Sequence, residues 1–286
     1  MFIHSLFGGR PVLSVEVYPP KADGDAGIIY GALSGIAALK PDYISVTFGA
    51  GGSDNFRLTS DICRHIKRAH GIEPLMHMTC MGNTKEGVAT QLGLLRGQGI
   101  ENILALRGDR RPGVESPDFA YASDLAAFIA AHGGYGVSGA CYPECHFECA
   151  SPDADIDHLK IKVDAGVTHL NSQLFFDNDD FFRFLDRARR KGITVPVQAG
   201  IMPIVQPKQI QRVVSLGGVG IPQKLARLFA RFGEDARALM DAGIAYACQQ
   251  IGDLLAAGVD GVHLYVMNKP EVAARLVGNI AGMLGR

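Results

Sequence analysis

Eight times along the chain a short, apolar, β-branched run is followed by a longer stretch of helical periodicity. This alternation limits the fold more than any other feature. Strands are predicted over 12–18, 43–48, 74–79, 102–106, 136–141, 168–173, 194–199 and 261–265. Helices are predicted between them over 26–39, 54–69, 84–96, 119–131, 155–165, 179–191 and 208–215, then as a pair over 222–229 and 234–257, and finally over 270–284. The strands read as nearly continuous apolar runs, as expected of a parallel sheet covered by helices. Gly71, Gly99, Gly166, Gly192 and Gly258 stand where helices must stop before the next strand. Eight such units in 286 residues match a (β/α)8 TIM barrel with an extra helix before the last strand, forming one domain over 1–286. An open doubly wound sheet is the competing arrangement, but no glycine-rich dinucleotide fingerprint follows the first strand.

Composition removes several function classes. The formal net charge is -1, and the basic runs at Arg110-Arg111 and 187–191 are too short for a nucleic-acid footprint. No apolar run reaches membrane-spanning length and no cleavable leader precedes the first strand, so the reading is a cytoplasmic protein without a membrane partner. Six cysteines in such a chain do not make a disulfide framework.

A barrel does its chemistry at the carboxyl ends of its strands, and polar residues gather there: Glu16, Thr47, His77, Thr79, Arg107, Asp109, Tyr142, Glu144, His146, Gln173, Gln198, Tyr265 and Asn268. Glu16 is the most informative. A carboxylate between Val15 and Val17 is costly to bury without partners; it is either a salt-bridged structural residue or an acid tuned for proton donation. Asp109 follows Arg107 and Gly108, and reads either as half of a turn-forming Arg–Asp pair or as a polar clamp on a ligand. Cys141, Cys145 and Cys149 recur every four residues, but the spacing fits no zinc signature, and no metal is expected. The glycine-rich segment 49–53 lacks the lysine and hydroxyl spacing of a phosphate loop. An acid, several hydrogen-bonding groups and no metal motif suit an organic cofactor, without saying which.

Nine segments in order resemble the catalytic domain of the methylenetetrahydrofolate reductase family in its short bacterial form: Ser14-Val-Glu-Val-Tyr-Pro-Pro20, Ser45-Val-Thr-Phe-Gly-Ala-Gly-Gly52, His77-Met-Thr-Cys80, Leu104-Ala-Leu-Arg-Gly-Asp109, Tyr121-Ala-Ser-Asp124, Tyr142-Pro-Glu144 with His146, Lys162-Val-Asp-Ala-Gly166, Gln173 with Phe175-Phe-Asp177, and Gly200-Ile-Met-Pro203. The resemblance implies noncovalent FAD lined by Thr47, His77, Arg107, Gly108, Asp109, Tyr121, Ala122, Tyr142, His146, Asp155 and Lys162, with Arg107 and Lys162 offsetting pyrophosphate charge. It implies Glu16 as general acid and Asp109 beside flavin and pterin, with Gln173, Tyr265 and Arg227 toward the folate; for Arg227, a helix-surface role is the competing reading. The implied reaction is ping-pong reduction of 5,10-methylenetetrahydrofolate to 5-methyltetrahydrofolate by NADH or NADPH through FAD, in a homo-oligomer, dimer or tetramer. A folate-binding barrel with another electron donor and a pterin-dependent methyltransferase barrel are the alternatives. His158 and Ile161 depart from the family's polar or basic pattern near the cofactor tail, and Ile161 cannot hydrogen-bond a phosphate. The regulatory domain of longer family members has no counterpart, so control by such a domain is not expected.

Overall fold

The structure, a computed structural model, describes residues 1–20, 26–48, 53–109, 113–114, 116–216 and 219–285. Eight parallel strands close into a barrel in sequence order. They are β1 (Val12–Val17), β2 (Tyr43–Val46), β3 (Glu73–Thr79), β4 (Asn102–Leu106), β5 (Gly136–Cys141), β6 (His169–Leu174), β7 (Val197–Ile201) and β8 (Gly261–Tyr265). The helices are α1 (Ala26–Ala37), α2 (Ser53–His70), α3 (Lys85–Gln98), α4 (Ala122–His132), α5 (Pro152–Asp164), α6 (Asn178–Arg190), α7 (Pro207–Leu216), α8 (Gln223–Phe232), α9 (Ala236–Ala256) and α10 (Pro270–Ile280). Three helices thus lie between β7 and β8. The five predicted cap glycines all adopt positive φ.

Boundaries moved where local chemistry overrode apolar pattern. Helix α5 starts at Pro152 rather than 155, because Ser151 accepts a bond from the Ala154 amide and proline suits the first helical turn. Strand β2 stops at Val46 and β1 at Val17. Strand β7 begins at Val197, after Pro196, and so runs two residues past the predicted end. That shift corrects Gln198: it is the second residue of β7, fully buried inside the barrel, not a rim residue.

Outward strand residues such as Val15, Ile44, Met76 and Ala105 pack under the helices in one large core. Inward residues are different. Ser14, Ser45, His77, Asn171, Gln198 and His263 are all buried. Across the lumen, the Tyr43 hydroxyl donates to Gln198 Oε1, and Asn171 Oδ1 lies 3.0 Å from the same hydroxyl oxygen. Below this layer the amino-terminal turn Ile3–Leu6 closes the floor. Ile3 packs with Val12, Tyr43, Leu75 and Leu104, and its amide donates to Asn102 Oδ1 at 2.8 Å. With the floor plugged, the lumen reaches solvent at the carboxyl ends of the strands, where Glu16 keeps 20% of its side-chain surface exposed.

Candidate active site

Glu16 stands near the carboxyl end of β1, in register with Ser45 of β2 and Tyr265 of β8. Its side chain keeps 20% of its surface exposed, so it lines the mouth instead of filling the core. Two imidazoles face the same carboxylate oxygen, Oε2: His263 Nε2 at 3.6 Å and His77 Nε2 at 3.7 Å. Both are somewhat long for hydrogen bonds. His77 Nε2 also lies 2.7 Å from Ser45 Oγ, and His263 Nδ1 lies 2.7 Å from Ser14 Oγ. Burial pushes His77 down to about 4, partly opposed by the Glu16 charge and reinforced by His263. The ring is therefore neutral near pH 7, and its contact with Glu16 is not an ion pair there.

The other side of the mouth is carried by loops. Arg107 follows β4 and forms a two-pronged pair with Glu148, at 2.6 and 2.9 Å. Of the two readings of Asp109, the turn pair with Arg107 is not seen among the described residues: Arg107 reaches Glu148, while Asp109 is exposed and its charge bears on Tyr142. Gly108 adopts φ 85°, and a Cβ there would meet Thr79 Cβ at 3.1 Å, so only glycine lets this turn sit so close to β3. Burial pushes the Tyr142 hydroxyl up to about 12. The Tyr142 ring meets His146 edge-on, with centroids 4.7 Å apart.

Asp155, in the first turn of α5, accepts the His146 amide at 3.1 Å. Lys162, two turns further, donates to the Ala140 carbonyl at 2.7 Å, and desolvation lowers its pKa. Tyr121 precedes α4, which starts at Ala122, and is 60% exposed. Thr47 continues the β1–β2 pairing, its amide donating to the Val17 carbonyl at 3.0 Å.

On the β6 and β8 side of the mouth, Tyr265 donates to the Ser172 carbonyl at 2.8 Å, and Gln173 Oε1 accepts the Leu174 amide at 2.9 Å. Arg227 lies on the exposed face of α8, where it donates to Gln223 Oε1 at 2.9 Å. The glycine run 49–52 and Arg110-Arg111 lie outside the described residues.

All six cysteines are free thiols. Among the described residues, Cys149 is the member of the repeating trio that joins other ligand types: its thiol, a carboxylate oxygen of Asp155 and a ring nitrogen of His158 lie within 4.8 Å of one another. The cluster shares Asp155 with the His146 turn. Ile161 is 58% exposed on the same helix.

Sequence reading missed His263, Ser14 and Ser45. The available signal was their period-two spacing with Glu16 and Tyr265 on β1, β2 and β8, where otherwise apolar runs carry polar residues at alternate positions toward the carboxyl end.

Comparison with known proteins bears on the whole chain. A family model described as methylenetetrahydrofolate reductase matches residues 3–281. The 5,10-methylenetetrahydrofolate reductase of Escherichia coli (strain K12) is 34% identical over 265 residues, covering 93% of this chain and 89% of the relative. The probable methylenetetrahydrofolate reductase (NADH) of Oryza sativa subsp. japonica is 33% identical over 95% of this chain, which spans 48% of that longer protein. A solved structure from Clostridium thermocellum, an uncharacterized protein that binds two copies of 5-methyl-5,6,7,8-tetrahydrofolic acid, has a TM-score of 0.66 at 12% identity over 96% of both chains. That likeness speaks to the fold. Among the described residues, no helix is long and apolar enough to cross a membrane.

Proposed function

The chain belongs to the methylenetetrahydrofolate reductase family, and from that premise we propose that it reduces 5,10-methylenetetrahydrofolate to 5-methyltetrahydrofolate, with NADH or NADPH as reductant and noncovalent FAD as hydride carrier. The observation that carries the reading is Glu16, a carboxylate at a solvent-open mouth faced by two imidazoles.

The reaction needs a proton at the folate N10. Protonation weakens the bond from N10 to the methylene carbon, so the five-membered ring opens and leaves a methylene iminium at N5. Glu16 supplies that proton and becomes a carboxylate. A hydride then adds to the methylene carbon, giving the N5 methyl group. Each turnover consumes one NAD(P)H and one proton, and Glu16 regains its proton from solvent through the open mouth.

The donor set of the loop side fits FAD in its chemistry. Arg107 and Lys162 bring positive charge for a pyrophosphate, and the exposed Tyr121 and Phe147 offer aromatic surface for flat rings. Gly108 presents a peptide with no side chain in the way. Thr47, His77, Ala122, Tyr142, His146 and Asp155 complete the lining in this reading. When bound, FAD would accept hydride from the nicotinamide and return it to the folate. Asp109, exposed beside Tyr142, would disfavour added negative charge on such a ring. Gln173 and Tyr265 orient the pterin in the same reading, and the chain assembles as a homo-oligomer.

Anaerobic stopped-flow absorbance of the FAD-supplemented protein tests this directly. NADH or NADPH should bleach the flavin, and methylenetetrahydrofolate should then restore its colour. Reoxidation only after chemical prereduction would keep the folate and replace the nicotinamide donor. Reduced flavin that persists with the folate present would overturn the assignment.

A further inference from the structure

Glu16 has two imidazole neighbours, and the hydrogen-bond inventory separates their roles. His77 presents the same nitrogen, Nε2, to Glu16 and to Ser45 Oγ, so that nitrogen is already engaged. His263 uses opposite ends of its ring: Nδ1 meets Ser14 and Nε2 faces Glu16.

What lies behind His263 favours one of its tautomers. Gln198 Oε1 accepts the Tyr43 hydroxyl, which fixes the amide's orientation. Gln198 Nε2 then lies 3.1 Å from the Val12 and Val262 carbonyls and 3.1 Å from Ser14 Oγ. The two carbonyls can only accept, and they take the amide's two hydrogens. An amide nitrogen offers no lone pair, so the Ser14 hydrogen goes either to the Tyr43 oxygen, which also bonds Ser14, or to His263 Nδ1, and the 2.7 Å approach to Nδ1 favours the ring. A neutral ring that accepts at Nδ1 carries its hydrogen on Nε2, aimed at Glu16.

The ring is also held still. Tyr43 stacks on it with centroids 6.4 Å apart at 22°, Tyr265 meets it edge-on at 4.9 Å, and the residue is 1% exposed.

We propose that His263 is a positioning residue for the folate half-reaction. Its Nε2–H orients the Glu16 carboxyl and bears on the negative charge left there when the proton passes to N10. The 3.6 Å separation closes to a hydrogen bond when substrate displaces water from the mouth, as catalytic hydrogen bonds commonly do. The inference rests on the reading of Glu16 as the acid.

The test uses FAD-loaded enzyme, with each half-reaction followed separately by anaerobic stopped flow. His263→Asn keeps a polar atom near Nδ1 and deletes the Nε2 end; His263→Gln places an amide N–H near the Nε2 position. H263N should slow reoxidation by methylenetetrahydrofolate roughly 10- to 100-fold, below the 10²–10³ cost of a donor that touches the reacting atoms. It should leave flavin reduction by NAD(P)H within about twofold, and H263Q should recover most of the loss. Equal damage by Asn and Gln, or parallel loss of both half-reactions, would make His263 merely structural and overturn the proposal. E16Q is the control. If E16Q still reoxidises normally, the reading of Glu16 falls and this inference falls with it. If E16Q is dead and H263N is normal, the inference alone falls. The wild-type protein gives an answer independent of any variant: nitrogen-15 NMR should report the Nε2–H tautomer of His263, and an Nδ1–H signal would overturn the argument.

Discussion

On the side of the mouth formed by β8, β1, β2 and β3, the polar side chains stand on strands; on the side formed by β4, β5 and α5 they stand on loops and a helix turn. Glu16, Ser45, His77 and His263 are fixed by the parallel ladder, and their partners are other strand residues. Arg107, Asp109, His146 and Asp155 are fixed by contacts among the connections, such as Arg107 with Glu148 and Asp155 with the His146 amide. The strand side is thus organised before any ligand arrives, which suits proton transfer, where sub-ångström placement counts. On the loop side both cations already have protein partners, and an anionic cofactor must exchange them.

The sharpest way to break this contrast is Glu16→Gln. The amide keeps shape and hydrogen-bonding reach but cannot donate an acidic proton. Folate-driven flavin reoxidation should fall by about 10²–10⁴-fold, the usual worth of a general acid, while reduction by NAD(P)H stays near the wild-type rate. Stopped-flow traces of the two steps decide it; equal loss in both would remove the division of labour between the two sides.

The strand side carries a buried base, His77, and the barrel interior holds another, His169 on β6; both should show in the pH dependence of stability. Burial holds His77 at about 4 and His169 at about 3 in the folded protein, against the ordinary 6.5. Between those values the unfolded chain binds protons that the folded chain does not, so stability is full above pH 6.5 and falls as pH drops. At about 1.4 kcal/mol per pKa unit, His77 alone accounts for a loss on the order of 3 kcal/mol by pH 4. Among the described residues, neither ring nitrogen of His169 meets a hydrogen-bond partner, so His169→Leu should flatten the acid side of a plot of melting temperature against pH. A variant as acid-sensitive as the wild type would show that His169 is not desolvated.

Substitutions at glycine compare the two constructions by stability. A Cβ at Gly200 of β7 would strike the Ser172 carbonyl and approach Tyr265 Cε2 at 2.8 Å, and neither sheet backbone nor a packed ring can retreat. Gly200→Ala should cost about 1–3 kcal/mol and slow the folate step through Tyr265. Gly108→Ala adds a Cβ at 3.1 Å from Thr79 and a strained φ, about 1 kcal/mol, with the loss appearing mainly in FAD affinity. Thermal melts and flavin titrations on both variants would collapse the comparison if the two profiles matched.

The same contrast explains what could be read from the sequence. The barrel was legible because eight apolar runs and five cap glycines state a period and its stops. Glu16 was legible because a carboxylate between two valines has few reasons to be there. His263 was not, since a histidine in Gly-Val-His-Leu-Tyr carries no mark of its partner 249 residues away. Gln198 was misplaced because the apolar pattern of β7 continues past Ala199, and only the ladder shows that the strand begins after Pro196. On the loop side, the charge of Arg107 was readable, but Glu148 as its partner was not, because loop pairings obey no spacing rule.

That pairing supports the smallest and most discriminating prediction. The Arg107–Glu148 contact is partly exposed, at 18% and 34% for the two side chains, and pairs of this kind are worth about 0–1 kcal/mol. If Arg107 must leave Glu148 to meet a pyrophosphate, Glu148→Gln removes the competitor and should tighten FAD binding by up to about fivefold, the equivalent of 1 kcal/mol. Arg107→Met should weaken it by roughly tenfold through loss of one charge-assisted bond. Fluorescence titration of FAD at two salt concentrations reads both, and the two effects should shrink together as salt rises. Weaker binding in E148Q would instead make Glu148 a cofactor ligand, and the loop side would then be as preorganised as the strand side.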